Sequence, residues 1–432
     1  MNPENQNNLM SCSGWIKRKG SKQGLWHKRF MNLSGSVLQI AKDEKSEQIE
    51  SSIELSPEIK ANYIENSQPP RFSVNIPNQE PLLFSTETIE SASRWINSIN
   101  ASCLPAQQLS INQFKIISVL GRGCYGKVML CQKVNTNELY AIKSIHKKRI
   151  MEAGKSHFVI RERDILMKSN HPFLIHLCFA FQTPSKVYLG LEYASGGKLF
   201  YYMNKVGSIP LKDVRLYIAE IALALDYLHS INVIYRDLKP ENILFDDCGH
   251  IKLTDFGLSK EIPMSEKTST FCGTSEYLSP ELVMKIPYNY SIDFWALGIL
   301  AYEMLNQTTP FYDDNLDKTY DNILHAEPVF PSDMDPKIVD LIKKLLSKNP
   351  SKRPTFDEIK SHPFFEGLNW DKVYNQEYMP GFIPLTSDPL LTNFDPEFTK
   401  ELAIDSFTQP PICEDNNFPG FSYCGIDIEN DD

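Results

Sequence analysis

Tyr235-Arg-Asp-Leu-Lys-Pro-Glu-Asn242 is the stretch on which the fold turns. It sets an acid, Asp237, ahead of a lysine, Lys239, and an amide, Asn242, and thirteen residues further on the chain reads Asp255-Phe-Gly. Toward the N-terminus, Leu120-Gly-Arg-Gly-Cys-Tyr-Gly-Lys-Val128 spaces Gly121, Gly123 and Gly126 so that a strand–turn–strand backbone can close over the phosphates of a nucleotide. Alone, that pattern equally suits a tight turn or a dinucleotide loop. A dinucleotide loop opens a helix, whereas Val128-Met-Leu-Cys-Gln-Lys-Val continues as a strand. The next strand, Tyr140-Ala-Ile-Lys143, ends in a lysine able to reach the α- and β-phosphates. A buried lysine needs a carboxylate to hold it charged and oriented, and Glu162, in the helical Phe158-Val-Ile-Arg-Glu-Arg-Asp-Ile-Leu, is the natural partner. Taken singly, a Lys and a Glu more often meet as a surface pair.

In this order and at this spacing, the motifs make residues 114–432 resemble the AGC group of protein kinases, and the whole chain resembles the protein kinase B (Akt) family. Two features carry the group resemblance: tyrosine in the catalytic loop, where many kinases have histidine, and Thr270-Phe-Cys-Gly-Thr-Ser-Glu-Tyr-Leu-Ser-Pro-Glu281. The resemblance implies a bilobal fold, with a β-rich small lobe and an α-helical large lobe, over residues 114–365. It also implies ATP and Mg2+ as cofactors and protein serine or threonine hydroxyls as acceptors of the γ-phosphate. Asp237 then accepts the substrate hydroxyl proton, Lys239 steadies the transferred phosphoryl, and Asn242 and Asp255 hold the metal. Leu120, Val128, Ala141 and the hinge Glu192-Tyr-Ala194, with Leu191 behind it, enclose the adenine. Asp293, Trp295 and Arg353 fall at the internal polar ties of the large lobe. The rival is a lipid-binding adaptor whose kinase fold has lost its chemistry. Such folds usually lack the lysine, the catalytic aspartate or the metal aspartate, and all three are present.

The same resemblance makes Thr270 an activation-loop phosphosite whose added charge pairs with Arg236, although a threonine in a polar loop is more often inert. Residues 366–432 read as an extended tail that docks by scattered aromatics. There Phe418-Pro-Gly-Phe-Ser-Tyr423 is similar to the family's hydrophobic motif, which implies a groove on the small lobe and a phosphosite at Ser422; Thr408 is a turn-motif candidate. Upstream activating kinases are therefore expected partners. In the family an acid after the Gly-Gly beyond the hinge receives the ribose and an arginine three residues before the target. Here the sequence is Ser195-Gly-Gly-Lys198, while Glu241 and Glu303, which resemble the acids for an arginine two residues before the target, are retained. The expectation is a weakened demand at the third position with the second kept, unless Lys198 swings into solvent and another carboxylate takes over.

Residues 1–8 are Asn-rich and read as a disordered lead-in, and 104–113 as a linker. Between them, residues 9–103 show short strand-like runs, then a helical stretch with Ile89, Ala92, Trp95, Ile96 and Ile99 on one face. This resembles a pleckstrin homology domain, a β-barrel closed by a C-terminal helix. Lys17, Arg18, Lys19, Lys22, Lys28 and Arg29 lie in one hairpin without an acid, which suits anionic phosphoinositide membrane, with Arg18, Arg29, Lys17 and Lys28 as lipid ligands. His27 stands where a Lys or Arg is expected, which leaves open a solvated hairpin, or an active kinase whose N-terminal domain binds protein instead of lipid. With 432 residues, 42% of them apolar, the chain can bury several cores, and a net charge of −10 argues against bulk nucleic-acid binding. The 9 cysteines show no paired metal-ligand spacing, and the N-terminus lacks the regions of a signal peptide; both predict a cytoplasmic protein recruited peripherally to the plasma membrane.

Overall fold

The structure, a computed structural model, describes residues 11–424 apart from 21–24, 35–36, 44–48, 57, 65–66, 78, 104–108, 264–265, 271–272, 386–390, 407–417 and 419. The lead-in, Lys22, Thr408 and part of the linker lie outside the described residues.

Seven antiparallel strands come first: β1 (Ser11–Lys19), β2 (Trp26–Ser34), β3 (Val37–Ala41), β4 (Ile49–Glu54), β5 (Lys60–Ile64), β6 (Arg71–Asn75) and β7 (Leu82–Ser85), in the spatial order β4-β3-β2-β1-β7-β6-β5. Alternation puts Met31, Leu33, Leu38, Ile40, Phe72 and Phe84 inside, where each buried side chain contributes about 1.5–3 kcal/mol of transfer free energy. Helix α1 (Ile89–Cys103) closes this core with Ala92, Trp95 and Ile99, and the Asn100 side-chain amide hydrogen-bonds both backbone groups of Ala61 at 2.7 and 2.9 Å. Ile89 departs from the expected apolar face: it is the first helical residue and stands 58% exposed. Strands β4 and β5 escaped the sequence reading because most of their side chains face water, leaving little apolar signal.

The second unit opens with β8 (Phe114–Gly123), β9 (Gly126–Lys133), β10 (Leu139–His146), α2 (Lys147–Glu152), α3 (Ser156–Lys168), β11 (Leu177–Gln182) and β12 (Lys186–Glu192). The large lobe follows with β13 (Gly197–Lys198), α4 (Leu199–Val206), α5 (Leu211–Ser230), β14 (Val233–Ile234), β15 (Ile243–Phe245), β16 (Ile251–Leu253), β17 (Lys260–Glu261), α6 (Pro280–Val283), α7 (Ser291–Asn306), α8 (Leu316–His325), α9 (Pro336–Leu345), α10 (Phe356–Lys360) and α11 (Trp370–Tyr374). The tail adds α12 (Pro396–Thr399) and β18 (Tyr423–Cys424), which joins the edge of the small-lobe sheet in the order β18-β11-β12-β10-β9-β8. Helix α7 is apolar on nearly every side and buried on nearly every side, between α5 and α9, so it forms the axis of the lobe. No helix among the described residues is long and apolar enough to cross a membrane. Arg353 forks onto both oxygens of Glu281 at 2.5 and 2.7 Å with both side chains buried, a pair whose breakage costs about 3–5 kcal/mol.

Candidate active site

Between the two lobes lies a cleft of about 420 Å³. Its roof is the β8–β9 hairpin. A Cβ on Gly126 would sit 1.7 Å from the Ser144 carbonyl oxygen, so only glycine fits there, whereas Gly121 and Gly123 have open space beside them. Leu120, Val128, Ala141, Leu191, Glu192 and Ala194 line the cleft. Phe394 of the tail lines it too, stacked on Tyr193 of the hinge at 5.9 Å. Inside, Lys143 on β10 reaches Glu162 on α3 at 2.6 Å and Asp255 at 3.1 Å. Burial opposes the lysine's charge, but the two carboxylates outweigh it and hold its pKa above the ordinary value. Lys143 in turn holds the Asp255 carboxyl below its usual range.

The floor is the catalytic loop, fixed from beneath by α7. Both Asp293 oxygens accept backbone N–H groups, from Tyr235 at 2.9 Å and Arg236 at 2.8 Å, and Asp293 also meets His229 at 2.8 Å. Arg236 and Asp255 take left-handed backbone angles, φ 69° and 60°, a strain retained at both ends of the site. Lys239 donates to Asp237 at 3.0 Å and to Thr274 at 2.9 Å; the Asn242 amide N–H₂ donates to the Asp237 carbonyl and carboxylate at 2.8 and 2.7 Å. The Asn242 carbonyl oxygen is thereby turned away from Asp237. Desolvation raises the Asp237 pKa against the opposing pull of Lys239. Thr274 stands inside the quoted Thr270–Glu281 stretch but was given no role of its own from sequence, since the lysine it meets lies 35 residues away.

Lys198 follows Gly197 at the head of α4 and lines the cleft instead of swinging into solvent. Burial depresses its pKa, and Asp255 and Glu241 oppose that. Glu241 shares the cleft wall; Glu303, on α7, accepts the Tyr277 hydroxyl, and desolvation lifts its pKa to about 7.

Thr270 is exposed. Its carbonyl accepts the Tyr288 hydroxyl at 2.7 Å, and Arg236 donates to that hydroxyl at 3.0 Å. Lys260, missed in the sequence, donates to Thr268 at 2.7 Å, so two cations stand at this segment. In the tail, Phe418 and Phe421 are buried, under Lys147 at 5.4 Å and Arg163 at 5.3 Å respectively. Gln182 hydrogen-bonds both backbone groups of Phe418, Tyr423 pairs with Ala180, and Ser422 between them is exposed. Upstream, Asp405 accepts from Lys186 at 2.6 Å, Tyr188 at 2.8 Å and Ser144 at 3.1 Å, and Lys127 donates to the Ile404 carbonyl. This electrostatic anchor had no sequence signal, because its partners are more than 200 residues away.

In the N-terminal unit the β1–β2 register pairs Arg18 with His27, Ile16 with Arg29 and Lys17 with Lys28. Arg18, His27 and Arg29 therefore share the face of the buried Ile16, while Lys17 and Lys28 project from the opposite one. The four expected lipid ligands are not brought together. Arg18 donates to Ser51 at 3.0 Å and Arg29 pairs with Glu50 at 2.6 Å, both on β4.

A family model described as "Protein kinase domain" matches residues 114–365, and one described as "PH domain" matches residues 10–104. The serine/threonine-protein kinase YPK1 of Saccharomyces cerevisiae is 43% identical over 324 residues, which cover 73% of this chain and 48% of the yeast protein. The serine/threonine-protein kinase Sgk2 of Homo sapiens is 42% identical over 327 residues, 73% of this chain and 89% of the human one, and Sgk1 of Xenopus tropicalis is 43% identical over 348 residues, 78% and 82%. The chain thus spans about half the length of the yeast relative it matches. A kinase unit with its Lys143–Glu162 pair closed, its catalytic loop held from α7 and a barrel-and-helix unit in front leaves one assignment: the chain belongs to the protein kinase family, in its AGC group, with a pleckstrin homology domain ahead of the catalytic one.

Proposed function

We propose that the chain transfers the γ-phosphate of ATP to serine and threonine hydroxyls of protein substrates, with Mg2+ held at Asn242 and Asp255. The observation that carries this reading is the divergence of two carboxyls facing one cleft: burial makes Asp237 a better proton acceptor, while Lys143 keeps Asp255 ionised. The donor set fits the nucleotide and its metal. Asp255 and the Asn242 carbonyl offer hard oxygen ligands, Lys143 offers a phosphate cation, and the space beside Gly121 and Gly123 admits phosphates under the hairpin. When bound, magnesium ATP supplies the phosphoryl group with its charge shielded. Asp237 orients the acceptor hydroxyl and takes its proton; Lys239 keeps Asp237 in place and faces the transferred group; Glu162 holds Lys143 extended.

Activity in this reading is raised by upstream kinases at Thr270, toward Arg236 and Lys260, and at Ser422, on the docked segment between Phe421 and Tyr423. The N-terminal domain recruits the cytoplasmic chain to phosphoinositide membrane through Arg18 and Arg29. The relatives' names as serine/threonine-protein kinases support the acceptor class. Asp255→Asn removes a metal-binding charge at constant volume and is expected to abolish transfer to a serine peptide array while leaving the fold intact, read as a retained cooperative thermal transition. Near-wild-type turnover of that variant excludes the metal site, and a wild-type chain with neither nucleotide binding nor autophosphorylation leaves the adaptor reading.

A further inference from the structure

Lys198 stands close enough to Asp255, Lys143 and Lys239 for all three charges to act on it. The other two lysines are paired: Lys143 lies 2.6 Å from Glu162 and 3.1 Å from Asp255, and Lys239 lies 3.0 Å from Asp237. Lys198 has no carboxylate within ion-pair distance among the described residues, although it lines the cleft. Its place is fixed by its neighbours. Gly197 takes a left-handed φ of 73°, and a Cβ there would lie 2.0 Å from the Asn393 carbonyl oxygen, so the tail packs directly onto this turn. The Asn393 amide also donates to the Ser195 carbonyl at 3.1 Å. On the other side, Lys198 stands directly across from Leu244 of β15, and side chains at opposed positions leave a sheet on the same face. Leu244 lines the cleft, so the Lys198 stem runs over the cleft floor. Asn242 immediately precedes β15 and Asp255 follows β16 by two residues. The sheet β13-β15-β16 thus brings the lysine together with both residues that offer hard oxygens.

A desolvated amine without a counter-charge is unfavourable by itself, and a nucleotide brings several negative charges to the neighbourhood of Asp255. The acid that the family carries at this position accepts from ribose hydroxyls. An ammonium has three N–H donors and no acceptor, so it cannot repeat that contact, and its strongest hydrogen-bond partner is an ionised oxygen. We propose that Lys198 is a nucleotide-binding residue, donating from the floor of the cleft to phosphate oxygens of ATP and ADP. The inference rests on the ATP reading above and deepens it. Lys143, held by Glu162, offers a cation from the small lobe, and Lys198, held between Leu244 and Asn393, offers one from the large lobe. The cleft then selects phosphorylated nucleotides over the bare nucleoside more strongly than Lys143 alone would make it.

The test is calorimetry on the full chain, titrated with ATP, ADP and adenosine in EDTA so that only protein groups meet the phosphates. Lys198→Met keeps most of the stem and removes the charge. It is expected to raise the Kd of ATP and of ADP about tenfold and that of adenosine less than about twofold. Lys198→Arg retains the cation and is expected to stay within about threefold of the wild type for all three. Added salt is expected to weaken ADP binding to the wild type more than to Lys198→Met. Adenosine binding retained by Lys198→Met separates a lost contact from a lost fold. Peptide selectivity is compared at saturating ATP and so is read apart from this contact. An equal loss for adenosine and ADP overturns the phosphate contact and assigns Lys198 to the ribose or to packing. An ADP Kd unchanged in Lys198→Met overturns it as well and leaves the ATP reading standing. A wild type that binds neither ATP nor ADP removes that reading itself.

Discussion

Lys198 occupies a wall of the cleft that an incoming peptide must pass; burial lowers its pKa, and the nearby Asp255 and Glu241 act in the opposite direction. An arginine arriving three residues before the target meets like charge there. Lys198→Glu is therefore expected to raise kcat/KM for peptides carrying that arginine about tenfold, as relief of about 1.4 kcal/mol of repulsion implies. A peptide array in which the wild type already demands that arginine as strongly as the variant does excludes the effect. Glu303 adds a pH signature. With its carboxyl pKa lifted to about 7, it gains its negative charge only as pH rises through neutrality. The preference for arginine two residues before the target, measured as a kcat/KM ratio against an alanine peptide, is expected to grow across that window. His171 shows the same logic in stability. Packed against Phe173, Tyr227 and Tyr374, it is desolvated and its pKa falls to about 4. The unfolded chain takes up that proton first, so the stability is complete above about 6.5 and is lost as pH drops toward 4, by about 3 kcal/mol in all. Thermal midpoints measured down through that window are expected to fall less for His171→Gln than for the wild type.

Among the elements, the tail strap and the β1–β2 ribbon differ most in how far sequence reaches. The glycine hairpin, the β10 lysine and the catalytic loop were legible because their chemistry is written in contiguous residues, and the strand after Gly126 excluded a helix-opening loop on local grounds. The strap was legible only in its phenylalanines. Asp405 is one of many acids in that stretch, and nothing local marks it as the one that neutralises Lys186, whose side chain is only 3% exposed. Asp405→Asn keeps the shape and leaves that lysine's charge uncompensated, so the kinase unit is expected to lose about 3 kcal/mol. It is also expected to bind nucleotide more weakly, because α12 and the strap hold β8 and β9 through Arg122 and Lys127. Calorimetry of the variant beside Lys186→Met/Asp405→Leu checks the cause: if charge burial is responsible, the double substitution recovers most of the loss. In the ribbon, five of the six basic residues counted together in the sequence, Lys22 lying outside the described residues, separate into two faces once alternation is applied, and Glu50, which engages Arg29, sits on a strand too polar to have been read.

At the scale of the molecule, the order of units along the chain was readable because each carries its own periodicity, whereas the closure of the small lobe was not. That closure depends on Asp405 and β18, which reach β12 and β11 from about 220 and 240 residues downstream respectively. A ribosome adding about 5–20 residues per second needs roughly 12–50 s to cover that interval. Throughout it, the nascent sheet presents the open edge of β11, the vacant groove for Phe418 and Phe421, and a lysine whose counter-charge has yet to be translated. A messenger with a stop codon ahead of residue 405 is thus expected to yield a chain held by chaperones and degraded, where a simple loss of regulation would have left a stable enzyme.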